Sequence, residues 1–210
     1  FVTGAAGFIG SHYVRTLLGG GYGDVGLESV TVFDKLTYAG NLANLAPIAD
    51  DPRYSFVQGD ICDAELLAQV LPGHDVVVNF AAETHVDRSI TGAADFVVTN
   101  VLGAQTLFEA CLQAGVGRVV HIGTDEVYGS ILEGSWTEDW PLQPNSPYSA
   151  AKASAELLAR AYFVTYGLNI STTRCSNNYG PYQFPEKVIP LFVTNLIDGQ
   201  QVPLYGEGLN

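Results

Sequence analysis

Short β-branched runs alternate with longer amphipathic stretches from one end of the chain to the other. Phe1 to Thr3, Ser29 to Phe33, Tyr54 to Gln58, Asp75 to Phe80, Arg118 to Gly123 and Leu168 to Arg174 read as six strands. Val76-Val77-Val78 sits in a run without polar alternation, the pattern of a central parallel strand. Between the strands lie helical patterns that start after Gly10, near Glu65, over Ala94 to Gln113 and from Tyr148, with a last one over Val188 to Ile197. Phe96, Val97, Asn100, Val101, Ala104, Leu107, Phe108 and Cys111 form a wide stripe on the third of these. Strand and helix in alternation predict an α/β fold, a doubly wound parallel sheet. A further short strand is expected at Val202 to Tyr205.

The strand ends carry the polar chemistry. Gly4-Ala5-Ala6-Gly7-Phe8-Ile9-Gly10 is G-x-x-G-x-x-G at a strand-to-helix turn, the arrangement that brings a pyrophosphate to bare backbone and a helix N-terminus. Asp34 closes the second strand, 24 positions after Gly10, where a carboxylate grips adenosine ribose hydroxyls and repels a 2′-phosphate. That favours NAD over NADP, although Lys35 follows directly. Asp60, beside apolar Ile61, either holds an adenine amino group or caps the next helix. Ala81 and Ala82 are small enough for a cofactor to cross the fourth strand end. Glu83 to Ser89 reads as a polar loop, in which His85 has the pattern of a solvated residue. Beyond the sixth strand, Asn177, Asn178 and Lys187 suit a polar, anionic ligand such as a nucleotide sugar; turn chemistry is the other reading of the two asparagines.

Composition narrows the partners. The net charge of −13 and pI near 4.4 argue against nucleic acid and anionic membranes, so ligand phosphates must be met by backbone N–H groups and a few cations. Three cysteines far apart in the chain, and four histidines without ligand spacing, predict reduced cytoplasmic thiols and no metal. The third and fourth helical patterns, over Ala94 to Gln113 and from Tyr148, are more apolar than one sheet face needs. Core packing and a helix-paired homodimer both account for that. Without an initial Met, and ending on Gly206-Glu207-Gly208-Leu209-Asn210, the chain reads as a piece of a longer protein. Residues 1–175 are expected to form the dinucleotide-binding domain and 176–210 the start of a substrate lobe.

The densest cluster is Thr124-Asp125-Glu126-Val127-Tyr128-Gly129 at the fifth strand end, followed by Tyr148-Ser149-Ala150-Ala151-Lys152. A separation of four puts Tyr148 and Lys152 on one helix face, where the ammonium is expected to lower the pKa of the phenol. With Glu83 to Ser89 and the Asn177 to Lys187 segment, these residues resemble the extended short-chain dehydrogenase/reductase family, and within it the dTDP-glucose 4,6-dehydratases. Thr84 and Gly123 stand where that group commonly has serine. The resemblance implies a lyase with NAD as cofactor. Tyr148, aided by Lys152 and Thr124, would be the base for oxidation at sugar C4, Asp125 the acid at C6 and Glu126 the base at C5. It further implies that Thr84, Thr124, Asn177, Lys187, Pro203 and Tyr205 contact dTDP-glucose. Gly4, Gly7, Phe8, Ile9, Gly10, Asp34, Lys35, Asp60, Ile61, Ala81, Ala82, Thr99, Tyr148, Lys152 and Asn178 would hold NAD.

Overall fold

A computed structural model describes residues 1–204 and 207–208. Six parallel strands lie in the order β3-β2-β1-β4-β5-β6: β1 (Val2–Thr3), β2 (Val30–Asp34), β3 (Tyr54–Gln58), β4 (Val76–Asn79), β5 (Arg118–Thr124) and β6 (Ile170–Cys175). The order reverses beside β1, which makes the carboxyl end of β1 the ligand crevice of a doubly wound sheet.

Both faces of the sheet are covered. One core gathers Phe33, Leu67, Val77, Leu107, Phe108 and Val119; the other gathers Val2, Val14, Val32, Leu45 and Val78. Helix α1 (Phe8–Leu18) follows the glycine turn, and α2 (Ala64–Val70) is capped by the Asp63 carboxylate accepting from Leu66 N. That removes the capping role considered for Asp60, which instead accepts from Cys62 N at 3.0 Å. The segment Leu42–Ile48, which has no helical pattern in sequence, is a 3₁₀ helix capped by Asn41.

Two stretches after the fourth strand differ from the sequence reading. Glu83 to Ser89 is not wholly loop: α3 (Val86–Thr91) starts there, with His85 Nδ1 accepting from Arg88 N as its N-cap. The helix expected over Ala94 to Gln113 is three pieces, α4 (Ala94–Phe96), a π-helical segment (Val97–Gly103) and α5 (Ala104–Ala114). The wider π turn rotates the face, so Asn100 is buried while Val97, Val98 and Leu102 are exposed. Val97 is therefore not part of the buried stripe.

Helix α6 (Pro147–Tyr166) begins with a capping box between Ser146 and Ser149 and Pro147 in its first turn, and ends at Gly167 in the left-handed conformation. The chain divides into two compact units, Phe1–Asn177 and Asn178–Asn210. The second contains α7 (Val188–Ile197), which has no buried residue. Val202 to Leu204 form no strand, and Tyr205 lies outside the described residues.

Candidate active site

The glycine turn is built by close approach. Gly4 has φ +65°, and a Cβ on it would stand 2.5 Å from Ala81 N; one on Gly10 would stand 2.7 Å from Ala5 Cα and Gly4 O. Only glycine lets the turn press on β4 and α1 press on the turn. Asp34 is buried rather than a surface turn residue. Its Oδ2 accepts from Ala6 N at 2.9 Å and its Oδ1 from Leu36 N at 2.8 Å. Asn41 N and Asn44 Nδ2 donate to Ala6 O, at 3.0 and 2.9 Å. The turn is thus held from the far side of β2, a support that pattern reading does not reveal. Phe8 is half-buried and Ile9 exposed in the first turn of α1. Lys35 pairs with Asp60 at 2.7 Å. Ile61 is buried and packs where a Cβ on Gly103 would come within 2.8 Å of it.

After β4, half-buried Ala81 and Ala82 lead to Glu83, whose N–H donates to Asn100 Oδ1 at 2.8 Å while Asn100 Nδ2 donates to Glu83 O at 2.9 Å. This reciprocal clamp fixes the loop; Thr99, next to it, is half-buried and Thr84 exposed. Below the site a buried polar row crosses the sheet. Thr3 Oγ1 donates to Asn79 Oδ1 at 2.5 Å, and Asn79 Nδ2 lies 3.0 Å from His121 Nδ1. Burial holds the His121 imidazole well below its ordinary pKa, with Lys152 adding to the effect, so it is a neutral packing residue.

Thr124 ends β5, and Asp125–Tyr128 make one 3₁₀ turn in which the Thr124 hydroxyl accepts from Glu126 N at 3.2 Å. Tyr148 is buried against Phe96 and Ala151 on α6, with its phenol hydrogen-bonded to the Thr124 hydroxyl. Glu126, Asp125 and Cys175 all act electrostatically on that phenol, so Thr124, Asp125, Glu126 and Tyr148 form one group. The expectation that Lys152 lowers the Tyr148 pKa does not hold here. Burial pushes the phenol up, Glu126 and Asp125 push it further, and the Thr124 hydrogen bond is the one opposing effect. Lys152 instead donates to Ile122 O at 2.5 Å, and its burial brings the ammonium down to about 8, countered by Glu156 and Cys175.

Asn177 is exposed at the end of the first unit. In the second unit Asn178 O accepts from Gln183 Nε2 at 3.1 Å, Lys187 is the N-cap residue of α7, and Pro203 is exposed.

Comparison with known proteins places this geometry. The sequence model of the family described as GDP-mannose 4,6 dehydratase matches residues 1–210. A dTDP-glucose 4,6-dehydratase of Streptomyces niveus is 62% identical over 209 residues, covering 100% of this chain and 62% of the relative. The crystal structure of DesIV, a dTDP-glucose 4,6-dehydratase from Streptomyces venezuelae solved with NAD bound, superimposes with a TM-score of 0.98 at 66% identity, over 100% of this chain and 65% of that one. A UDP-glucuronic acid 4-epimerase from Bacillus cereus superimposes at 0.90 with 30% identity, over 99% and 65%. The chain thus spans just under two thirds of the length of these relatives. By the match over its whole length, it belongs to the GDP-mannose 4,6 dehydratase family.

Proposed function

We propose that the full-length protein is an NAD-dependent lyase that dehydrates dTDP-glucose to its 4-keto-6-deoxy product, a step of deoxysugar biosynthesis. Relatives named for that activity at 57–62% identity support the substrate. The observation that carries the reaction type is the convergence of Thr124, Asp125 and Glu126 on Tyr148.

NAD fits the residues present. Helix α1 starts at Gly7 without a side-chain cap, and a Cβ on Gly7 would stand 3.2 Å from Gly4 O, in the place a phosphate needs bare backbone. Asp34 at the end of β2 opposes a 2′-phosphate, and the neighbouring cation, Lys35, is engaged by Asp60. Asp60, Ile61, Ala81, Ala82, Thr99 and Asn178 complete the proposed cofactor set; Thr84, Asn177, Lys187, Pro203 and Tyr205 the substrate set. When bound, NAD supplies the hydride acceptor for C4 and the hydride returned to C6.

The chain's own residues move the protons. Tyr148 takes the C4 hydroxyl proton, oriented by Thr124, whose hydrogen bond favours the phenolate, with Lys152 buried one turn further along the same helix. A ketone at C4 makes the C5 proton acidic; Glu126 removes it, and Asp125 protonates the departing C6 hydroxyl. Neighbouring carboxyl groups serve as acid and base when their surroundings hold them in different protonation states.

The same reading includes a homodimer. Val98 and Leu102 on the π segment, and Leu157 and Val164 on α6, are exposed apolar positions at helical spacing on two elements that pack together. It also includes a cytoplasmic location, where free thiols such as Cys62, Cys111 and Cys175 persist. No helix among the described residues is long and apolar enough to cross a membrane.

The test is single-turnover mixing with dTDP-glucose, following reduced nicotinamide and solvent-deuterium exchange at C5. Tyr148→Phe should stop every step. Asp125→Asn and Glu126→Gln should keep oxidation and slow elimination by roughly 10²–10⁴-fold. Product formation at the wild-type rate by both carboxylate variants would overturn the assignment, and a C4-inverted product would point to epimerisation in place of dehydration.

A further inference from the structure

One turn beyond the Tyr148–Lys152 pair on α6 lies an ion pair that the proposed reaction does not use. Glu156, one turn after Lys152 on α6, is 5% exposed, and its Oε2 accepts from Arg174 Nε at 2.8 Å. Its Oε1 has no hydrogen-bond partner among the described residues. Gly123 makes the room: a Cβ there would stand 2.6 Å from Glu156 Oε1 and would also overlap Thr173 O. Gly123 is the register partner of Arg174 across β5 and β6, so the bare position that admits the carboxylate lies opposite the residue that pairs with it.

Arg174 continues the connection. Its Nη1 donates to Tyr128 Oη at 2.5 Å and to Glu138 O at 3.0 Å, with the guanidinium 4.9 Å from the Tyr128 ring centroid. Tyr128 closes the 3₁₀ turn that carries Asp125 and Glu126, and its ring stacks on Trp136 of the loop that follows. A buried carboxylate is costly unless it is used, and an unpartnered oxygen adds to the cost. Its position between the two halves of the site supplies the use.

We propose that Glu156 and Arg174 are positioning residues that tie the Lys152 side of α6 to the Asp125–Glu126 turn, so that the oxidation and elimination groups are held as one unit. The catalytic assignment rests on the function proposed above; the electrostatic link between Glu156 and Lys152 does not. The groups in electrostatic reach of Lys152 are Glu156 on α6, His121 on β5 and Cys175 on β6, and Glu156 is the strongest influence favouring its cation. Glu156→Gln keeps the shape and removes the charge. Glu156→Asp keeps the charge.

The experiment is a carbon-13 NMR titration of Lys152 in the full-length enzyme, with single-turnover kinetics on the same samples. In Glu156→Gln the Lys152 midpoint should fall by about one pH unit, with the alkaline limb of C4 oxidation moving with it; Glu156→Asp should restore most of that shift. Tyr128→Phe, which cuts the other end while keeping the ring, should leave oxidation within about twofold and slow elimination about five- to tenfold. A folded Glu156→Gln protein with an unmoved Lys152 midpoint overturns the proposal. So does a Tyr128→Phe enzyme with an unchanged ratio of elimination to oxidation, which decides the matter if Glu156→Gln does not fold. Failure of the wild type to turn over dTDP-glucose would sink the function instead, and the NMR comparison would still read the link.

Discussion

Lys152 shows what burial does to a single residue. It is 4% exposed, its ammonium rests on Ile122 O, and its proton affinity falls from an ordinary 10.5 to about 8. The consequence for stability has a definite sign. Between about pH 8 and 10.5 the unfolded chain binds a proton there that the folded chain does not, so this contribution to stability rises with pH across that window. Below it, both states carry the proton and the full cost of burying the cation remains; above it, the cost is gone. Lys152→Met should therefore exceed the wild type in stability by a few kcal/mol near neutral pH, the excess shrinking towards zero by the top of the window. Urea midpoints at several pH values check this, and an excess that stays constant with pH would contradict it. Activity should be lost throughout.

At the scale of elements, the π-helical segment Val97–Gly103 is the part that periodicity misreads. A 3.6-residue repeat lets Asn100 pass as one polar member of an apolar stripe, whereas the wider turn aims it inward at the Glu83 backbone. Asn100→Ala leaves a part-buried N–H and C=O without partners, at about 1–3 kcal/mol each. The expected result is at least tenfold faster hydrogen exchange at the Glu83 amide, with the β-sheet amides unaffected. Unchanged exchange there would mean that the loop is held by something else. A polar residue amid a long apolar stripe was the available signal, and its partner 17 positions away was not legible.

For the whole molecule, the surface is strongly acidic, with a net charge of −13, yet α6 presents Leu157, Phe163 and Val164 to solvent at 59%, 56% and 64% exposure. These uncovered apolar positions are the face assigned to the proposed homodimer contact. Replacing Leu157 and Val164 together by lysine should leave the fold intact, since neither side chain is in a core, and should convert the full-length protein to monomer in sedimentation velocity. A dimer that survives both changes would place the interface elsewhere.

Local regularity made much of this legible before the structure. Strand runs, helical repeats, the glycine turn and the close spacing of Thr124-Asp125-Glu126 and Tyr148 to Lys152 are written in neighbouring residues, because backbone geometry couples positions only a few apart. From these alone come the alternation of β and α, the class of the sheet and the residues proposed for proton transfer. Closure of the fold decided the rest. Asp34 with Ala6, 28 positions apart, Thr3 with Asn79, 76 apart, and Glu156 with Arg174, 18 apart, are pairs of buried or part-buried polar groups. No periodic pattern marks such partners, since a polar residue reads as surface until packing removes its water and obliges it to find a hydrogen bond. The same closure turned the Tyr148 phenol upward in pKa and sent Lys152 to Ile122 O, because burial and the nearest dipole, rather than helical spacing, set the charge on a side chain.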